Sequence, residues 1–364
     1  MTVILIGTAA LLLAAGVGWG VLRRAPAVPA ARRPADAGER PARLAEAPGA
    51  DGDAADILQA GLHALALAPG TGGADRAAGN RDAALQAAVA AALEAQDWSA
   101  RHLPRRPQLL PQLIQTVNDS DASARSMASI IGQDAVLTGN LLRIANSPVY
   151  RLQAKPVDSL QRAVTLVGTD GIRQIISAVL VQPVMQLHSD AFPQFGTVVW
   201  EHALLASRAA ADHARLVTHE DGFAAQWLGL TQGLGAALVM RHLLDVAYQQ
   251  GAVPSQTLAS GLLDSWSLPV ASRIAAAWEL PASVHQALLR DADASGGGLA
   301  ASLQFARAAA SASLLCRHGR ISQAQAMALL EQLHGTPSHA LQWIWRRLHG
   351  RGVETLDADE AADA

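Results

Sequence analysis

A divalent-metal hydrolase needs histidines and carboxylates converging from its helices. Two ligands usually stand three or four residues apart on one helical face. The chain has twelve histidines, and no two of them lie at either spacing. It contains no His-Asp dipeptide. His219-Glu220 continues as Asp221-Gly222-Phe223, which breaks the zincin pattern. The segment 223–240, FAAQWLGLTQGLGAALVM, has the apolar spacing of a buried helix but carries Gln232 at its centre. Glycines at 229, 233 and 235 surround that amide, although each weakens a helix by roughly 1 kcal/mol relative to Ala.

Other chemistries are not signalled. A phosphate-binding loop needs Gly-Lys-Ser/Thr, but the sole lysine, Lys155, precedes Pro156. There is no Gly-x-Ser-x-Gly elbow, and no dinucleotide fingerprint outside the apolar N-terminal stretch. No signature of a cyclic-dinucleotide synthase or phosphodiesterase occurs. The single cysteine, Cys316, rules out an intramolecular disulfide and a multi-cysteine zinc site; its apolar surroundings place it in a core. No cofactor is implied.

The scaffold that must position such residues is all-α. Half of the chain is hydrophobic, 16% is charged, and Ala and Leu dominate. Period-2 alternation is almost absent. Residues 3–22, VILIGTAALLLAAGVGWGVL, are uncharged and long enough to span about 30 Å as a helix. Arg23, Arg24, Arg32 and Arg33 follow them. A cleaved signal peptide would carry its positive charge before the apolar stretch instead. Residues 1–22 are therefore read as a transmembrane anchor, with the arginine side and nearly all of the chain in the cytoplasm. Residues 23–55, with Pro26, Pro29, Pro34, Pro41 and Pro48, read as a disordered tether. Residues 56–100 read as a pair of amphipathic helices packed on the domain after them. Residues 293–350 read as three further helices, and 351–364 as an acidic, disordered tail.

From 101 onward, short helices are sharply punctuated. Asp121 or Ser123 can cap one containing Met127, Ile130 and Ile131. Asp134 can cap the next, whose Leu137, Leu141, Ile144 and Ala145 share a face, and Asn146-Ser147-Pro148 ends it. Asp158 or Ser159 caps a third, which stops at Gly168. The ordered motifs NDSDAS, IIGQDAVLTGNLLRIANSPVY, VDSLQRAVTLVGTDGIRQII and WEHA resemble the HDOD family, the HD-related output domains of bacterial signalling proteins. The resemblance covers roughly 101–292. It implies a two-lobed helical domain whose C-terminal lobe is related to HD phosphohydrolases.

In that resemblance the stretch LGLTQGLG stands where HD hydrolases carry a His-Asp pair on a buried helix. Here the pair is Gln232-Gly233. An amide is a poor ligand for a catalytic metal, and glycine is none. His202 matches the first metal histidine and survives alone. Trp278 and Pro281 match further on, but Ser267 and Arg290-Asp291 stand around the expected downstream histidines. The resemblance thus implies no metal at His202, Gln232 and Gly233, no catalytic residue, and an amide that needs hydrogen-bond partners if buried. From 101 to 175, nine Arg and Lys face five Asp. Arg143, Asn146, Ser147, Tyr150 and Arg151 are candidate contacts there for a signalling protein or a small signal. No feature points to nucleic acid. The expectation is a non-catalytic signalling scaffold, tethered as a single-pass protein to the bacterial inner membrane. The alternative is a metal-dependent phosphohydrolase with atypical ligands.

Overall fold

A computed structural model describes residues 53–70, 79–94, 112, 124–133, 138–139, 141–142, 145–146, 157–168, 181, 187–290, 297–333 and 335–349. The apolar segment 3–22, the proline-rich stretch up to residue 52 and the acidic tail lie outside them. Among the described residues there are helices and no strand.

The helix α1 (Ala54–Ala66) begins inside the stretch 23–55 that the prolines had assigned to a tether. Its start is set by Asp53, whose side chain accepts from the Ala55 N–H at 3.4 Å. Leu58, Leu62 and Leu65 recur at helical spacing and are buried, as is Leu67 just past the last turn. Burying these four leucines contributes about 6–12 kcal/mol at about 1.5–3 kcal/mol each, before the entropy of ordering the helix. The helix α2 (Gly79–Glu94) buries Leu85, Val89 and Leu93. The Arg273 guanidinium donates to the Leu93 carbonyl and ties the end of α2 to a helix far along the chain.

Buried apolar side chains fall into two clusters. The smaller joins Met127 and Ile131 of α3 (Ala124–Ile131) to Leu141, Ala145, Ala163, Val164 and Val167. Leu141 is 1% exposed, as its expected face requires; Leu137 and Ile144 lie outside the described residues. Residues 160–168 are helical and end at Gly168, whose φ of 76° suits glycine. Ser159 Oγ accepts from the Arg162 N–H near the start of this stretch.

The larger cluster surrounds α5 (Gly222–Gln249). Asp221 caps this helix by accepting from the Phe223 N–H at 2.9 Å. It packs against α4 (Phe195–His213) and α6 (Gln256–Ala277), with α7 (Ala282–Arg290) and α8 (Leu299–Arg317) beside it. Packing explains the glycines of α5. A side chain at Gly229 would run into the backbone of Ala206 and Ser207 on α4. One at Gly235 would meet the Ser267 carbonyl and the Ala271 N–H on α6. Their absent side chains let three helices approach backbone to backbone. The helix α6 continues through Pro269, where a sequence rule would have ended it.

Two short helices, α9 (Gln323–Glu331) and α10 (Ser338–His349), complete the described residues. On α10, Trp345 is buried. Trp343 is partly exposed beneath the Arg347 guanidinium, 4.6 Å from its ring centre. Among the described residues, α8 is the helix long and apolar enough to cross a membrane, but 78% of its apolar window is buried inside the fold. It is a core helix.

Candidate functional site

Four helices meet around a small cavity beside Gln232. His202 reaches it from α4, Gln232 from α5, Ser267 and Asp264 from α6, and Arg307 from α8. The cavity volume is about 30 Å³, room for about two water molecules. Three residues that the resemblance singles out, His202, Gln232 and Ser267, are therefore brought together. Gly233 is buried in the same helix as Gln232 and offers no ligand atom. The Arg290 side chain and Asp291 lie outside the described residues.

His202 is buried, and its Nε2–H is shared between the Arg307 carbonyl and Ser311 Oγ, each at 3.2 Å. Burial holds its pKa down at about 4; the Arg307 carbonyl opposes the shift, while the charges of Arg307 and His63 add to it. The imidazole is neutral at pH 7 and its Nε2 is committed to α8. Gln232 is 6% exposed, and its Oε1 finds no hydrogen-bond partner among the described residues. The cavity beside it has room for about two waters, so the partner that a buried amide needs is not a described side chain or backbone group.

The fifth wall is α1. Gln59 Nε2 donates to His63 Nε2 at 2.9 Å, which leaves the ring proton on Nδ1. That nitrogen faces Asp264 Oδ1 at 3.7 Å, too long for a hydrogen bond and within ion-pair range if His63 is protonated. Burial lowers the His63 pKa; Asp264 opposes this and Arg307 reinforces it. Gln59, His63, Asp264 and Arg307 were not found from sequence. Only the 59/63 spacing on an amphipathic helix hinted that the first two share a face.

These residues do not fit a catalytic divalent cation. Such a centre needs about three protein ligands and an open position. The wall instead offers two histidines, each with one ring nitrogen already hydrogen-bonded, two amides, a hydroxyl and a guanidinium that repels positive charge. The nearest carboxylate, Asp264, is 54% exposed in its side chain. Among the described residues no three His, Cys, Asp or Glu side chains cluster to hold a metal.

Of the candidate contact residues in the smaller cluster, only Asn146 is described. Its Nδ2 donates to the carbonyls of Leu142 and Val157, both at 2.8 Å, and its Oδ1 accepts from the Val157 N–H at 2.7 Å. Both amide hydrogens are used to clip a helix end to the backbone at Val157, a structural task. Arg143, Ser147, Tyr150 and Arg151 lie outside the described residues.

Replacing the orphaned amide tests this picture. Gln232→Met keeps the shape and removes an unpartnered buried acceptor, so stability is expected to stay within about 1 kcal/mol or rise. A loss of about 3 kcal/mol in urea unfolding would show that Oε1 has a partner after all.

A likeness to known proteins bears on the fold. A protein from Shewanella amazonensis SB2B, provisionally named a metal-dependent phosphohydrolase, shares 18% identity and superposes with a TM-score of 0.52. The match covers 75% of this chain and 99% of that one. An HDOD domain protein of unknown function from Geobacter sulfurreducens shares 19% identity, covering 77% of this chain and 96% of the other, with a TM-score of 0.48. A curated relative, an uncharacterised protein of Treponema pallidum (strain Nichols), is 22% identical over 190 residues. That match takes in 50% of this chain but spans only 36% of the relative. At this identity the Shewanella structure speaks for the fold alone. The HDOD domain model matches residues 103–294, more than half of the sequence, and the chain belongs to the HDOD domain family.

Proposed function

We propose that this chain is a non-catalytic HDOD signalling protein that works by binding a partner protein or a small signal. The observation that supports the reading is the donor set at the hydrolase position. His202 is tied to α8, Gln232 stands where the resemblance puts a ligand histidine, and the positive charge of Arg307 acts on His202 from the same wall. The fold is kept while the chemistry is lost, and a rigid helical domain without chemistry is suited to recognition. The segment 3–22 would anchor it as a single-pass protein in a bacterial inner membrane, with the bulk of the chain cytoplasmic.

The provisional name of the Shewanella protein motivates the second reading, a metal-dependent phosphohydrolase with unusual ligands. Metal content separates the two. The purified full chain is expected to hold far less than one equivalent of iron, manganese, magnesium or zinc by elemental analysis. It is also expected to leave phosphodiester and nucleotide substrates intact. Stoichiometric metal that disappears in His202→Ala would overturn the scaffold reading.

A further inference from the structure

The helix that closes the relic cavity does not belong to the family domain. The HDOD model matches 103–294, whereas α1 ends at Ala66. From α1, Gln59 and His63 stand over Gln232, His202 and Ser267 and complete the wall that four helices of the larger cluster leave open. On its other side, Gly61 lets α1 lie against Leu315 of α8; a side chain there would meet the Leu315 methyl groups. Leu58 and Leu67 are fully buried, and Leu62 and Leu65 nearly so. Past the helix, the Gly70 N–H donates to the Ala191 carbonyl at 3.3 Å and holds the outgoing chain.

We propose that α1 is a permanent, built-in plug of the degenerate site, so that no substrate or small signal molecule reaches Gln232 and His202 while the protein is folded. A lid would attach by few and mainly polar contacts, because it must let go. Here the attachment is mainly apolar, whereas the polar contact across the cavity, His63 with a half-exposed Asp264, is loose. The cavity left beside α1 is about 30 Å³, room for about two waters. Neither α1 nor any other described element gives Gln232 Oε1 a donor, so α1 covers the cavity without bonding to its amide. Any recognition by this chain then uses its outer surfaces rather than the ancestral cleft. This extends the non-catalytic reading above, and its test is independent of metal content.

The test uses the full chain with Cys316→Ser as background. A thiol is placed in the cavity by Ser267→Cys, and a control thiol on the surface by Tyr248→Cys, at a position 88% exposed. With an excess of a small thiol reagent, the cavity thiol is expected to react at least about 100-fold more slowly than the control. Amide hydrogen exchange on the unmodified chain supplies a second measurement that needs no substitution. Residues 54–67 are expected to exchange as slowly as 223–240, since both open only with the core. A cavity thiol reacting within about tenfold of the control would show an open cleft and overturn the proposal. Exchange at 54–67 about 100-fold faster than at 223–240 would overturn it too, by showing that α1 is a lid that leaves a folded core behind.

Discussion

Acidification from pH 7 to pH 4 is expected to remove on the order of 6 kcal/mol of folding stability through two histidines. Both His202 and His213 are held at about 4 in the folded chain, in each case first by burial. His213 lies between Ser302 Oγ at 3.1 Å and Thr336 Oγ1 at 3.0 Å, and stacks on Phe305 at 4.5 Å between ring centres. In the unfolded chain each ring titrates near 6.5. Between 6.5 and 4 the unfolded state therefore binds more protons than the folded one, and stability rises with pH. The contribution is complete above about 6.5, is lost progressively as pH falls, and levels off below about 4. Each histidine supplies about 3 kcal/mol, from about 1.4 kcal/mol per tenfold. Urea titrations at pH 7, 5.5 and 4.5 should show this slope, and His213→Gln should flatten about half of it. Equal stability at pH 7 and 4.5 would mean that neither ring is buried as described.

Gly229→Val is expected to cost about 3 kcal/mol or more, read from the urea unfolding midpoint of the purified protein. The new side chain would occupy the space of the Ala206–Ser207 backbone, and a backbone cannot rotate away as a flexible side chain can. Separating α4 from α5 would also disturb the packing beneath His202 and Gln232. Gly261 on α6 is the internal control, because a side chain there meets nothing within 4 Å. Gly261→Ala should raise stability by about 0.5–1 kcal/mol, the ordinary helix preference of Ala over Gly. Similar effects at the two positions would refute the close approach of α4 and α5.

The sequence by itself determined the class of the fold and showed that Gln232-Gly233, not a His-Asp pair, stands on the buried helix. Ala and Leu at helical spacing leave no other regular structure for residues such as Leu58, Leu62 and Leu65, and their burial follows from that period. Motif order was enough to align Gln232, His202 and Ser267 with a hydrolase site, because family helices keep their sequence spacing, and the cavity does bring the three together. Local signals also marked helix starts, such as Ser159 ahead of the helical residues 160–168, since a cap acts within a few residues.

What only the tertiary structure decided depends on neighbours far apart in the chain. The reason for Gly229 and Gly235 lies in the backbones of α4 and α6, which no local pattern reveals. The partner of His202 is a carbonyl 105 residues away, and the sequence gives no sign of which backbone group will face a ring. The first turn of α1 starts at Ala54, two residues before the expected helical pair, because Asp53 caps it there. Above all, the placement of His63 over Gln232 rests on a helix from outside the family domain docking by its apolar face. An amphipathic period states that a face will be buried; which surface buries it is settled by shape and packing across the whole fold.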